Sequence, residues 1–221
     1  MKTNFFLTSL AAAVLLSGAT TLSAAAQQTR SVSGFEQVKA SGAIDVVLTQ
    51  GSATSVKVDA DSDVLPNIKT EVQGNTLVLY REQGLLSMLS NKKVTVYITC
   101  PRLTAVTVSG ASDVKSTTPF TADSFTIQAS GASDVTLNLN VKTLTASASG
   151  ASDLRLTGRA DRQTIHISGS SDYKGYDLQS RVADVQASGA SDAYVAVTEE
   201  LQSRASGASD VHYRGKPRVS R

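Results

Sequence analysis

The sequence has few of the residues on which metalloenzymes and disulfide-rich domains depend. Its 221 residues include one cysteine, two histidines, four prolines and no tryptophan. The lone Cys100 excludes an intramolecular disulfide, and with His166 and His212 it does not make a convincing zinc-binding set. Cys100 ends an alternating strand pattern, which favours a buried apolar role over a reactive thiol. We therefore predict no metal, no cofactor and no catalytic residue, and we expect both histidines on the surface of strands.

Charge of either sign is also scarce. Lys2, an apolar run from Phe5 to Leu16, and small residues at Ala24, Ala25 and Ala26 predict a signal peptide over residues 1–26, and hence export to the periplasm or cell surface. Its removal takes away one of 21 basic residues and none of 19 acidic ones, so the net charge of the remainder is +1. That balance argues against nucleic-acid binding, and we expect no stable membrane insertion after cleavage.

What the chain has in abundance is one short motif. Six near-identical copies of Ser-Gly-Ala-Ser-Asp begin at intervals of 21, 19, 19, 20 and 18 residues, and a variant precedes them. A fixed period near 20 residues is typical of stacked repeat architectures. The seven copies occupy residues 41–45, 109–113, 130–134, 149–153, 168–172, 188–192 and 206–210.

The alternation around each motif predicts which side chains face the core. The residues one and three positions before the first serine, and the residue after the aspartate, are mostly apolar or small. In a chain that stays extended through the motif they share one parity, which also turns the glycine and the second serine inward and the aspartate outward.

These patterns predict an all-β fold, a β-solenoid (β-helix) with about 20 residues per coil. We expect a single domain over residues 31–215, with an N-terminal strand region (31–108) that caps or docks on a repeat solenoid (109–213). A basic tail follows at residues 214–221. Within the N-terminal region, Gln73-Gly74-Asn75 predicts a hairpin, and residues 61–67 a loop that can hold one helical turn.

Stacked coils would align the aspartates in a column. Carboxylates one coil apart repel by about 0.9 kcal/mol in water and about 3.5 kcal/mol at an effective dielectric of 20. Backbone N–H bonds from each aspartate's own turn, worth roughly 1.5–3 kcal/mol each, would offset this repulsion. Structural turn capping is the leading interpretation; weak cation or ligand contact, and a catalytic carboxylate pair, are the alternatives. The column comprises Asp113, Asp134, Asp153, Asp172, Asp192 and Asp210.

One segment breaks the strand rhythm with four large apolar residues: Leu85, Leu86, Met88 and Leu89. Two interpretations stay open. The segment covers the end of the core, or it contacts a partner, a lipid or a second copy of the chain.

Residues 33–113 resemble a known family. Residues 34–46 lead to Thr49-Gln50-Gly51, and Leu65-Pro66-Asn67-Ile68, residues 94–98 and Pro101-Arg102-Leu103 follow in that order before the repeats. This combination resembles the putative auto-transporter adhesin head (GIN) domain family of bacterial envelope proteins. The resemblance implies an exported, β-helical protein without an assigned enzyme activity, and it supplies no catalytic residues.

The function we expect is that of a non-enzymatic envelope protein, adhesin-like, whose repetitive polar surface binds a glycan or another envelope component. Rows of Ser, Thr, Asn and Asp suit a polar polymer better than a buried small molecule. The alternatives are a small-ligand or lipid-binding periplasmic protein and a β-helical polysaccharide-degrading enzyme. The sequence does not indicate an oligomeric state.

Overall fold

The structure, a computed structural model, describes residues 25–82 and 92–220, and strands make up most of them. Seven strands precede the regular repeats: β1 (Ala25–Arg30), β2 (Gln37–Ser41), β3 (Asp45–Gln50), β4 (Ser55–Asp61), β5 (Ile68–Gln73), β6 (Thr76–Arg81) and β7 (Val94–Cys100). Nine follow: β8 (Ala105–Ser109), β9 (Val114–Ser116), β10 (Phe120–Ala129), β11 (Val135–Ala148), β12 (Leu154–Ile167), β13 (Tyr173–Gly189), β14 (Asp192–Gly207), β15 (Asp210–Arg214) and β16 (Arg218–Ser220).

The long strands stack in parallel, each on the strand one coil earlier. β8 pairs with β10, and the series continues in order through β11, β12 and β13 to β14, which pairs with both β15 and β16. The stack is a β-solenoid of about six turns with about 19 residues per turn. The predicted fold class is therefore confirmed.

The first motif belongs to the same stack. β2 pairs in parallel with β8, so that Ser41 lies opposite Ser109, and β3 pairs in parallel with β9. The residues between these two coils leave the stack and return to its N-terminal end, where β6 pairs in parallel with β2 and β7 with β3.

Antiparallel strands cover that end. β5 pairs with β6, β4 with β7, and β1 with β4, all antiparallel. The predicted hairpin is present, since β5 and β6 flank Gly74, whose φ is 62°. The predicted helical turn is a 3-10 turn over Leu65–Asn67. These strands lie against the first coil, so the N-terminal strand region caps the stack as expected, with β1 and β5 as the outer edges of the sheet.

The core lies inside the coils and follows the predicted parity. The positions before and after the first six motifs are buried, as Val106, Val108 and Val114 illustrate in the second motif's coil, whereas Ala205 before the last motif is exposed and Val211 after it is partly buried. Cys100 is fully buried as well, and burial raises the pKa of its thiol to about 11. This environment confirms the packing role predicted for Cys100.

One polar chain crosses the core. The buried Tyr173 hydroxyl donates to Gln163 Oε1 at 2.6 Å, the Gln163 amide donates to Ser180 Oγ at 2.7 Å, and Ser180 Oγ donates to the carbonyl of Ala196 at 3.0 Å. The tyrosine fits because Gly175 has no Cβ: one would lie 2.4 Å from the ring. The buried polar side chains of Tyr173, Gln163 and Ser180 thus all form hydrogen bonds, which removes most of the cost of their burial.

Candidate functional site

Each coil turns a sharp corner at the motif, and the glycine sets the backbone there. The motif glycines adopt left-handed φ values, for example 82° at Gly110 and 87° at Gly189. These glycines and the residues after them are exposed, whereas the second serine is buried in all six near-identical copies. The inward direction predicted for the second serine is confirmed. The one predicted for the glycine is wrong, because a left-handed residue interrupts the alternation of an extended chain.

Neighbouring coils approach each other closely at the corner glycines. From Gly131 onward, the amide after each motif glycine donates to the carbonyl of the preceding coil's glycine, as from Ala151 N to Gly131 O at 2.7 Å. A Cβ on Gly150 would lie 2.5 Å from the same Gly131 oxygen. Glycine is therefore required here for two reasons: it adopts the left-handed conformation at low cost, and its lack of a Cβ lets the neighbouring backbone approach.

The buried second serines form a hydrogen-bonded ladder through the stack. Ser133 N–H donates to Ser152 Oγ at 3.3 Å, and Ser152 N–H donates to Ser171 Oγ at 3.2 Å. In the first motif Ile44 stands in place of this serine, and its N–H donates to Ser112 Oγ at 3.1 Å. Five of the six hydroxyls, all but that of Ser133, thus accept a hydrogen bond from a buried amide of the preceding coil.

The aspartates point outward and form the predicted column, but their hydrogen bonds differ from the expectation. Asp113 Oδ1 accepts the N–H of Asp134 at 3.1 Å, and Asp192 Oδ1 accepts that of Asp210 at 3.3 Å. Each of these carboxylates therefore binds the amide of the following coil, not one of its own turn. The column ties one coil to the next, and its members are exposed or half-buried.

Positive side chains compensate parts of the column. Lys174 Nζ bridges two rungs: it binds Asp153 and lies 3.4 Å from Asp172 Oδ2. The hydrogen bond to Asp153 raises the pKa of Lys174. Lys93 Nζ lies 3.2 Å from Asp45 in the first motif. Chemically, these rungs resemble surface ion pairs more than a pair of carboxylates in unlike environments, which acid–base catalysis needs.

The C-terminal end of the column is built differently. His212, which we expected only as a surface residue of a strand, joins Asp192 and Asp210, and one ligand atom from each of the three lies within 4.8 Å of the others. The signal was present in the spacing: His212 follows Asp210 by two residues, as Tyr194 follows Asp192. Equivalent positions in neighbouring coils lie next to each other, so the rings of Tyr194 and His212 stack with their centres 4.9 Å apart and 15° between their planes.

A groove of about 680 Å³ runs along the stack on the strands that enter the corners. Its floor includes small residues such as Ala129, Ala148 and Ala187. One wall carries the first serine of successive motifs, and the other carries one further side chain per coil. These rows are Ser130, Ser149, Ser168, Ser188 and Ser206, and Thr107, Gln128, Ser147, His166, Gln186 and Arg204.

The apolar segment with Leu85, Leu86, Met88 and Leu89 lies outside the described residues. In the sequence it follows β6 and precedes β7. Both interpretations of the segment therefore stay predictions. Within the described ranges, no helix is long and apolar enough to cross a membrane.

A β-solenoid that exposes the same set of polar groups in every coil belongs to the class of repeat proteins that have extended, repetitive surfaces. Residues 34–217 match the family described as "Putative auto-transporter adhesin, head GIN domain", and the chain belongs to that family. The resemblance found in the sequence is thus confirmed.

Solved structures share the fold. A putative adhesin from Bacteroides fragilis is 22% identical with a TM-score of 0.81, and the match covers 89% of this chain and 91% of that one. A putative adhesin from Parabacteroides merdae is 17% identical, with a TM-score of 0.69 and coverage of 89% and 91%. A putative lipid binding protein from Parabacteroides distasonis is 18% identical, with a TM-score of 0.64 and coverage of 89% and 92%. No protein of curated function matches the chain.

Proposed function

We propose that this protein is an exported, non-enzymatic envelope protein whose groove binds an extended glycan or a similar polar polymer. The observation that carries the proposal is the groove itself, which presents one serine and one further side chain per coil across five motifs. Coils repeat at roughly 4.8 Å. A polymer of repeating units that lies along the axis therefore meets the same groups again and again, and many weak contacts sum to useful affinity.

The chemistry of the groove favours a glycan over a lipid. Hydroxyl, amide, imidazole and guanidinium groups line it, and they pair with sugar hydroxyls as donors and acceptors. The floor, which Val108 and Ile167 share with the alanines, consists mostly of buried side chains and offers only a shallow apolar strip. Among the described residues, the exposed large hydrophobic side chains are Tyr97 and Tyr213, too few and too scattered for an acyl-chain site.

Lipid binding remains the competing function, because one structural neighbour is called a putative lipid binding protein. In this chain it would depend on Leu85, Leu86, Met88 and Leu89. Deletion of that segment should leave glycan binding intact if the groove is the site. Loss of binding to a fluorescent fatty acid, with an unchanged melting temperature, would instead favour the lipid.

The experiment that tests the groove is a glycan array probed with the mature protein and two variants. Ser149→Trp and Ser168→Trp fill the middle of the groove, and neither hydroxyl makes a hydrogen bond within the part of the chain described here. Ser124→Trp is the matched control, because Ser124 is an exposed serine on β10 outside the groove. We expect binding to fall in the groove variants only. Equal binding by the parent protein and both groove variants would refute the proposal.

A hydrolytic role is tested on the same array. Neither the parent protein nor the Asp153→Asn and Asp172→Asn variants should release shorter fragments from any bound polysaccharide. Breakdown by the parent that either substitution abolishes would convert the assignment to a glycan-degrading enzyme.

Export and location form the last part of the proposal. A signal peptide over residues 1–26 would leave residues 27–30 of β1 on the mature chain, ahead of a single domain over residues 31–215. N-terminal sequencing of the protein from the envelope fraction should begin at Gln27. Protease treatment of intact cells then distinguishes a surface protein, which is cleaved, from a periplasmic one, which is protected.

A further inference from the structure

The C-terminal end of the aspartate column carries a cluster that the rest of the column lacks. Asp192, Asp210 and His212 offer two carboxylates and one imidazole, with a ligand atom of each within 4.8 Å of the others. Asp192 is half-buried and the other two are exposed. All three lie on or directly before the strands that leave the corner, so they are separate from the groove.

Lysines compensate parts of the column but not this rung. Lys174 compensates Asp153 and Asp172, and Lys93 pairs with Asp45. No lysine or arginine in the ranges 25–82 and 92–220 forms an ion pair with Asp192 or Asp210. Two carboxylates one coil apart repel by about 0.9–3.5 kcal/mol, depending on the effective dielectric. A bound cation would remove that repulsion.

The imidazole is held in place from one side. The His212 ring stacks on Tyr194, and Tyr194 meets Tyr176 edge-on at 5.3 Å. The Arg214 guanidinium covers Tyr176 at 3.9 Å from the ring centre. This packing limits the rotamers of His212 and leaves its ring edge directed along the rung, so less entropy is lost when a ligand bonds to it.

The donor set selects a class of ion. Calcium and magnesium take oxygen ligands, whereas imidazole suits zinc and other late first-row metals. One imidazole nitrogen and two carboxylate oxygens can lie about 2.0–2.2 Å from one zinc ion after small torsional changes of exposed side chains. The remaining coordination positions face solvent. The column of carboxylates alone would carry no such selectivity; His212 supplies it.

We propose that Asp192, Asp210 and His212 form a binding site for one divalent late transition-metal ion, with Zn²⁺ the best fit. The ion neutralises the uncompensated rung and leaves open coordination positions for water. The site does not depend on the groove or on glycan binding.

The test is isothermal titration calorimetry of the untagged mature chain with ZnCl₂, NiCl₂, MgCl₂ and CaCl₂. Two variants remove ligands: Asp210→Asn and His212→Gln. Two matched controls make the same changes elsewhere: Asp134→Asn, in the same column, and His166→Gln, on the groove. Neither the Asp134 nor the Asp210 carboxylate forms a hydrogen bond or ion pair in the described chain, so both asparagine variants should fold. Circular dichroism melting verifies this.

We expect one Zn²⁺ per chain, affinity reduced about tenfold or more in both ligand variants, and affinity within twofold of the parent in both controls. Because the chain has two histidines, a proton NMR titration should shift the imidazole signals of one and leave those of the other. Absence of Zn²⁺ binding by the parent overturns the proposal. So do an unchanged affinity in His212→Gln, equal losses in ligand variants and controls, or binding of Mg²⁺ and Ca²⁺ as tight as that of Zn²⁺.

Discussion

Substitution of one corner glycine by alanine measures how tightly the coils are held together. Gly150 has a φ of 82°, and a Cβ there would lie 2.5 Å from the carbonyl oxygen and 3.0 Å from the amide nitrogen of Gly131. Gly34 is the matched control. Its φ is 77°, and a Cβ there would meet nothing within 4 Å. Both substitutions therefore incur the same backbone strain, and only Gly150→Ala adds a collision.

The expected loss of unfolding free energy is the sum of two contributions, the backbone strain and the collision between coils. A left-handed residue with a Cβ costs about 1–2 kcal/mol, and this applies to both variants. In Gly150→Ala the coils must also separate. Overpacking costs about 1–3 kcal/mol, and the 2.7 Å bond from Ala151 N to Gly131 O is weakened, at about 0.5–1.5 kcal/mol. We expect an additional loss of roughly 2–4 kcal/mol relative to Gly34→Ala.

The assay is thermal unfolding of the mature protein, followed by circular dichroism and by calorimetry. For a chain of this size 1 kcal/mol shifts the melting temperature by roughly 2–4 °C, so Gly150→Ala should melt about 4–16 °C below Gly34→Ala. Equal melting temperatures for the two variants would refute the close approach of the coils at the corner.

Three further predictions concern the interior and the column. Tyr173→Phe leaves Gln163 Oε1 buried without a donor and should cost about 1–3 kcal/mol of unfolding free energy; adding Gln163→Leu should recover part of it, and no recovery would contradict the buried chain of hydrogen bonds. The pKa of Lys174 is raised above 10.5 by its bond to Asp153, so its stabilisation is full below pH 10.5 and is lost as the pH rises through the folded value. The melting-temperature deficit of Lys174→Met should accordingly shrink above that pH; a constant deficit would point to packing alone. Burial raises the pKa of Cys100 to about 11, so a disulfide reagent at pH 8 should modify it only in guanidinium, and rapid reaction of the native protein would contradict its position in the core.

The solenoid was predictable because the motif recurs at a nearly constant spacing along the sequence. Six corners at nearly equal spacing predicted the coil, and alternation around them identified the core, including the buried second serine. The same parity failed at the glycines because it assumed extended backbone through the motif. A single left-handed residue resets the alternation, and only a residue without a Cβ adopts that conformation at low cost.

The N-terminal half was harder to place. Ser41 precedes its stacking partner Ser109 by more than three periods, and the residues between them fold back onto the same end of the stack. The repeat spacing does not show that two coils separated by such a long insertion stack on each other. The capping role was still predictable, since unpaired sheet edges must be covered.

The side-chain contacts between neighbouring coils could not be predicted from the sequence, for a related reason. An aspartate next to turn amides suggests a bond within its own turn, yet Asp113 and Asp192 bind amides 21 and 18 residues later. The same stacking brings His212 to Asp192 and Tyr194. Such partners depend on the register between neighbouring coils, which the local sequence does not determine.

The most direct test of coil-by-coil contact between the groove and a polymer is the affinity for a glycan as a function of its length. Five motifs at roughly 4.8 Å give a groove about 20 Å long from the first serine to the last. Using the glycan that the array identifies, affinity should rise with each added sugar until the oligosaccharide spans that length and then level off, and Ser149→Trp should flatten the rise. Equal affinity for the shortest and longest oligosaccharides, or the same rise in Ser149→Trp as in Ser124→Trp, would contradict coil-by-coil contact.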